Sequence, residues 1–432
     1  MPQPAPALLG LMTRLPELTA DDDEWPARAR HWTGAVTIEI DTDIVTFTVN
    51  HGQLRLDAPV TEAERNGITL TASATLWAAM IEPTPPPFLH DLFGAAHHGF
   101  AIEGDQEEIA QCAPALRRLI ELLRGAANPV PAVKWAEPAP QWDTAVGRYV
   151  RLPIQGVEHR VYIEQAGTGI PVLLQHTAGA DGRQWRHLLA DPELTQRFRF
   201  IAYDLPFHGK SLPPTSTPWW SKPYRLTRDF LMSVPLAVAA ALGLSRPVFM
   251  GCSIGGHLAV DLAYYHPESF CAVIGLESAA RQETELDLSL LDHPRVSNDF
   301  KATLMYGLTS PTAPEALRRE TAFVYSQGAP PTFRGDLHYW QVEHDLRGLA
   351  ERIDTTVCAV HLLTGEYDWA TPTSLSAQLA QQIPGATFQV MSGLGHFPMS
   401  EDPQHFLSYL RPVLDGIAAL STPITRNEES SV

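Results

Sequence analysis

Residues 248–260 read VFMGCSIGGHLAV, and this stretch decides the fold. An apolar run ends at Gly251. A lone hydroxyl, Ser253, follows between small residues, and a helical pattern begins after it. Gly251-Cys252-Ser253-Ile254-Gly255 fits G-x-S-x-G between a strand and a helix, the context that gives this short motif meaning. A residue on so tight a turn sits in a strained backbone conformation, and side chains at 251 and 255 would clash with it. The turn lifts the serine Oγ out of the sheet, beside a helix N-terminus whose N–H groups can meet an oxyanion. Ser253 is therefore the candidate nucleophile, and Ile254, just after it, a candidate oxyanion donor.

A serine hydroxyl needs a base. The chain has 17 histidines, so position has to select among them. His396, in MSGLGHFPMSEDP, follows the last strand-like run in a glycine-rich loop before a helix. The base needs an orienting carboxylate. Asp368, in HLLTGEYDWATP, follows an apolar strand and precedes a helix. Glu277, at the end of AVIGLE, ends a neighbouring strand and is the alternative acid. The order Ser253, Asp368, His396 is that expected when the groups sit on successive loops at the C-terminal edge of one parallel sheet. The loop His176-Thr177-Ala178-Gly179, after PVLLQ, should supply a second oxyanion donor.

The surrounding rhythm agrees. PVLLQHTAG, FRFIAYDLP, PVFMGCSIG, FCAVIGLES and VCAVHLLTGEYD are short apolar runs, each followed by helical sequence or a long excursion. Near-continuous apolar strands alternating with helices indicate a parallel sheet covered on both faces, an α/β fold. Residues 281–346 interrupt that pattern for too long to be a loop and read as a mostly helical cap.

Residues 147–420 resemble the α/β-hydrolase fold, in its branch of capped esterases and lipases. The matching pieces are QHTAG, DLPFHGKS (residues 204–211), GCSIGG, LTGEYDWATP and GLGHF, in order. The resemblance implies nucleophile Ser253, acid Asp368 and base His396, and it puts the second oxyanion donor on Ala178. The chain departs from the family at Thr177, where glycine is usual. Branches with an aspartate at the elbow, the haloalkane dehalogenases and epoxide hydrolases, are disfavoured by Ser253. The expected chemistry is hydrolysis of a carboxylic ester or lactone of a hydrophobic small molecule. A C–C bond hydrolase or thioesterase on the same triad is the alternative. A non-catalytic lipid-binding or scaffold protein is the third reading, and the intact triad argues against it. Trp219 and Trp220, in the proline-rich loop TPWWSKPY, together with Tyr339 and Trp340 of the cap, are the candidate substrate-binding residues. No cofactor or metal is expected.

The first 125 residues have a different pattern. Apolar and polar residues alternate through Val36, Ile38, Ile40, then Val45, Phe47, Val49, then Leu54, Leu56, which predicts an antiparallel meander with one buried face. QEEIAQCAPALRRLIELLRG is an amphipathic helix. Over about residues 30–124 this small α+β domain resembles the sterol-carrier-protein-2-like fold, a family that binds lipids in an apolar tunnel. The plainer reading is a unit that only packs or mediates a homo-oligomer. Residues 126–146 hold several prolines without periodicity and read as a linker at which the two domains separate. The tail 421–432 is polar and expected to be disordered.

Composition excludes other classes. The 432 residues carry a formal net charge of −18, so no basic face is available for nucleic acid. Apolar residues make up 44%, enough for sizeable cores. The four cysteines follow no zinc spacing and read as buried thiols of a reducing compartment. The N-terminus lacks the pattern of a signal peptide, and no window approaches the ~18 apolar residues of a membrane span. A cytoplasmic protein is expected.

Overall fold

A strand that is apolar on both faces needs cover on both faces, and the second half of the chain supplies it. A computed structural model of the protein describes residues 5–56, 67–128, 142–282 and 288–421. The core of the expected linker, 129–141, and the tail 422–432 lie outside the described residues.

Eight strands form the larger sheet: β6 (Val146–Ile154), β7 (Val157–Ala166), β8 (Ile170–Gln175), β9 (Phe198–Tyr203), β10 (Val248–Cys252), β11 (Ala272–Leu276), β12 (Ala359–Gly365) and β13 (Thr387–Met391). Their spatial order is β13-β12-β11-β10-β8-β9-β7-β6. The ladders from β13 through β9 are parallel, and β7 pairs antiparallel with both β9 and β6. Every residue of β10 and β11 is buried, as their unbroken apolar sequences require. One face packs under the helix Arg228–Ala241 and the helix Ile254–Tyr265 that follows Ser253, the other under Trp185 and the C-terminal helix Pro403–Ser421. The β6–β7 hairpin was not foreseen. It lies at an edge, the first four residues of β6 are all exposed while Val157–Val161 of β7 alternate, and Arg160 covers the Tyr149 ring at 3.3 Å.

The cap is helical: Asn298–Gly307, Glu315–Gln327 and Pro330–His338, ending in a π-helical turn at Tyr339–Glu343.

The first part of the chain forms a five-stranded sheet from β1 (Thr33–Ile40), β2 (Asp43–Asn50), β3 (Gln53–Leu56), β4 (Ile68–Ala72) and β5 (Ala101–Glu103), ordered β3-β2-β1-β4-β5. The β1–β2–β3 meander is antiparallel, with Val36 opposite Phe47. The pairing of β4 with β1 is parallel. The helix Gln106–Ala127 lays Ile109, Leu116, Ile120 and Leu123 on this sheet, making a second core.

The two parts do not merely sit side by side. Glu24 reaches Arg319 of the cap at 2.9 Å. The Tyr306 ring lies between Arg117 at 4.0 Å and Arg318 at 4.3 Å. Ala110 and Ala113 of the long helix belong to the core of the larger sheet. The contact between the two parts is thus partly apolar and partly an ion-pair network, half-buried at Glu24 and Arg319. Among the described residues no helix is long and apolar enough to cross a membrane.

Candidate active site

Ser253 occupies the turn from β10 into its helix at φ +58° and ψ −115°. A non-glycine residue there costs on the order of 1–3 kcal/mol and persists only where the surroundings over-determine it. They do so here. The Ser253 N–H donates to the Leu276 carbonyl at 3.0 Å, and the His257 N–H takes up the Ser253 carbonyl at 2.8 Å. A Cβ on Gly251 would lie 2.5 Å from the Gly255 backbone, and one on Gly255 would lie 2.8 Å from Gln175. The small residues flanking the serine are a steric requirement of the elbow.

His396 and Asp368 meet at the same edge of the sheet, on the loops after β13 and β12. His396 Nδ1 is 2.7 Å from Asp368 Oδ2, and both side chains are buried. The other carboxylate oxygen, Oδ1, accepts from the amides of Ala370 at 2.8 Å and Thr371 at 3.1 Å. Asp368 is thereby fixed in orientation, and it leaves His396 Nε2 as the ring nitrogen free to exchange a proton.

Glu277 also sits at a left-handed backbone position, φ +58°, at the end of β11. Both its carboxyl oxygens lie 3.1 Å from the Gly365 N–H. Burial, then the charge of Asp368 beside it, pushes Glu277 well above the usual carboxylate range. The shift favours the neutral form of Glu277, which can share its proton with Asp368 in a hydrogen bond. The sign of the linkage follows. A carboxyl raised on folding stabilises fully below its unfolded value, and that contribution is lost as pH rises toward the folded one. Glu277→Gln should remove this loss. The urea midpoint of the wild type should fall relative to that of the variant as pH rises above the ordinary carboxylate range. Parallel midpoints over that rise would show that Glu277 is not protonated.

The loop after β8 is held by groups the sequence did not reveal. The Thr177 amide donates to Gln184 Oε1 at 3.0 Å, and the Gly179 amide to Asp336 Oδ2 at 2.7 Å. Asp336 is a cap residue, and it also receives His208 Nε2 at 2.7 Å and the Tyr224 hydroxyl at 3.1 Å. Burial lowers the His208 pKa, but the Asp336 carboxylate more than offsets it and the net shift is upward. At Thr177 the extra side chain has a partner: its hydroxyl meets that of Tyr325, from the cap. His208 lies in the quoted DLPFHGKS stretch, but nothing in the sequence around Asp336 signals its role. Behind His396, Glu401 accepts from the amides of Gly395 at 2.6 Å, Ser310 at 3.1 Å and Phe397 at 3.2 Å. Burial pushes its carboxyl up to about 7.

The expected substrate residues divide. Tyr339 is fully buried, and its hydroxyl donates to Asp261 on the helix Ile254–Tyr265 at 2.7 Å. Trp340 is buried in the same core, with its indole N–H unpaired. Trp219 and Trp220 are 46% and 69% exposed, with ring contacts to Phe207 and to each other. The cap rings that do approach the site are Tyr325, 5.4 Å from Phe397 beside His396, and Phe333, against Gly179.

A strand–serine–helix elbow with a histidine–carboxylate pair on the same edge is the arrangement the motifs implied. Residues 170–403 match the family described as alpha/beta hydrolase fold. The chain belongs to the alpha/beta hydrolase fold family. A 2-hydroxymuconate semialdehyde hydrolase of Pseudomonas putida is 28% identical over 288 residues, spanning 62% of this chain and 94% of that one. A pimeloyl-[acyl-carrier protein] methyl ester esterase of Nitrosomonas europaea is 24% identical over 263 residues, 57% of this chain and 97% of its own. The enol-lactonase from Burkholderia xenovorans LB400 superposes with a TM-score of 0.52 at 20% identity, over 62% of this chain and 99% of its own, a likeness of fold. The α/β-hydrolase assignment thus holds for the second half of the chain, and the family's members are hydrolases.

Proposed function

We propose that this α/β-hydrolase cleaves a carboxylic ester or lactone of a hydrophobic small molecule through Ser253, His396 and Asp368. One observation carries the reading: a serine at φ +58° on the β10 elbow shares a sheet edge with a His396–Asp368 pair at 2.7 Å. Ser253 Oγ adds to the substrate carbonyl while His396 Nε2 takes its proton. The carbonyl oxygen becomes an oxyanion, met by the Ile254 and Ala178 amides. Ile254 is the first residue of its helix, so its N–H has no acceptor within the helix. The amides on either side of Ala178 are committed to Gln184 and Asp336, which leaves that of Ala178 for the ligand. Collapse expels the leaving group, which takes the proton back from His396. Water then cleaves the acyl-serine by the same route. The cap rings Tyr325 and Phe333 favour an apolar acyl or alcohol part.

Hydrolysis of a C–C bond is the second reading, favoured by the similarity to the Pseudomonas putida hydrolase across nearly its whole length. A panel of aryl esters, lactones, thioesters and a cleavable diketone separates the two. Turnover of esters or lactones with none of the diketone is expected, and the reverse would overturn the first reading. A fluorophosphonate should label the protein at Ser253 by mass mapping, and labelling of another serine would sink the assignment of the nucleophile.

A further inference from the structure

The N-terminal part of the chain reaches the loops that carry the acid and the base, and it does so through one peptide group. The carbonyl of Gly307, at the end of the cap helix Asn298–Gly307, has two lone pairs for hydrogen bonding. His90 Nε2, from the N-terminal part, lies 3.0 Å from it. Trp369 Nε1, from the residue after Asp368, donates to it at 3.0 Å. Both side chains are buried. The contact is close-fitting. The His90 ring stands edge-on to Tyr367 at 5.1 Å, and His97 lies 6.0 Å from the Trp369 ring. A Cβ on Gly94 would lie 3.0 Å from the Trp369 indole. Residues 90–97 therefore interlock with residues 367–369 on both sides of Asp368.

The same turn of cap backbone continues to the base. The His396 amide donates to the Leu308 carbonyl at 2.9 Å. The Ser310 amide shares Glu401 with the amides of Gly395 and Phe397 on either side of His396. One short segment, residues 307–310, thus holds the acid loop by a carbonyl at one end and the base loop by a carbonyl and an amide further on.

We propose that His90 and Trp369 are positioning residues for the triad, and that through residues 307–310 the N-terminal part of the chain keeps Asp368 and His396 in register. The proposal rests on the reading of Asp368 and His396 as acid and base. It gives the N-terminal part a role in turnover, beyond assembly or lipid binding. It also sets a constant contact in place of a switch. Burial, then the charges of Arg318 and Arg124, lowers the His90 pKa to about 3, so the ring is neutral and the bond persists wherever His396 works as a base.

A triad tolerates little play, since a displacement of about 1 Å can cost on the order of a hundredfold in rate. His90→Phe keeps the ring against Tyr367 and removes the donor. Its kcat on a short aryl ester should fall about ten- to a hundredfold, with KM within a few fold. His90→Gln returns an N–H near the Nε2 position and should recover most of the loss. Trp369→Phe, which breaks the other bond to the same carbonyl, should show the same split between kcat and KM and covers the case in which His90→Phe does not fold. Wild-type kcat in a folded His90→Phe or Trp369→Phe protein, or a His90→Gln variant no better than His90→Phe, would overturn the proposal. Ser253→Ala, measured alongside, separates the two levels. If that variant is inactive while His90→Phe runs at full rate, only the positioning role fails; if it keeps full activity, the triad itself is wrong.

Discussion

Ser253→Ala is expected to lose on the order of 10⁵–10⁶ in kcat while keeping its melting temperature within a few degrees or rising above wild type. The size of the first effect follows from the way a triad works. With the hydroxyl gone, His396 has no group to deprotonate and Asp368 orients an idle ring, so one substitution removes what the three residues do together. The direction of the second follows from the elbow. Ser253 is buried at φ +58°, and the strain belongs to the backbone, fixed by the Ser253 N–H on Leu276 and by the packing around Gly251 and Gly255. Alanine needs the same backbone and gives up only an oxygen. Steady-state kinetics on a chromogenic ester, with circular dichroism melting of both proteins, checks both parts. Residual activity within a hundredfold of wild type would mean that the carbonyl is attacked by something other than Ser253.

The part of this site that could be read in advance is the part built from local chain. An elbow is a matter of five consecutive residues, and glycine at 251 and 255 announces its steric demand directly. Strands β8 and β10 to β12 declare themselves because a strand covered on both faces must be apolar throughout. Other features depend on partners far along the chain. The β6–β7 hairpin is an edge with half its residues in water, so it lacks the apolar signature of its neighbours. β4 pairs parallel with β1, through Val36 opposite Ile68, and the alternation of apolar residues in a strand does not say which way it runs. Asp336 holds Gly179 across a separation of 157 residues. His90 meets Gly307 across 217. Tyr339 looked like a pocket aromatic because its sequence neighbourhood is aromatic, yet its hydroxyl is claimed by Asp261. An aromatic run tells that rings will be buried; which of them face a ligand depends on the polar groups that fold beneath them. The proline-rich linker suggested two separable halves, whereas the long helix of the first half contributes to the core of the second.

The acid offers the sharper contest, because two carboxyls stand side by side. Asp368→Asn should lose on the order of 10⁴ in kcat, about 5 kcal/mol of transition-state stabilisation, because an amide no longer sets the histidine tautomer. Glu277→Gln should lose far less, and the reason lies in what each group does. Asp368 Oδ2 is the atom that faces His396 Nδ1 at 2.7 Å, and Oδ1 is anchored by two amides. The amide of an asparagine at 368 has one nitrogen and one oxygen for these tasks. Turned with its oxygen toward the loop amides, it presents N–H to a ring nitrogen that must itself donate. The upward shift of Glu277 favours its neutral form, which can donate toward Asp368. Glutamine has the same shape, donates from its nitrogen and accepts from Gly365 through its oxygen, so the substitution exchanges one neutral donor for another. The carboxyl facing His396 Nδ1 would then be the same in both proteins, and the acid limb of the pH–rate profile should lie at the same place in Glu277→Gln as in wild type. A large loss in Glu277→Gln with a small one in Asp368→Asn would transfer the role of acid to the loop after β11. Large losses in both, with the acid limb displaced in Glu277→Gln, would instead show that the two carboxyls share the charge and act as one group.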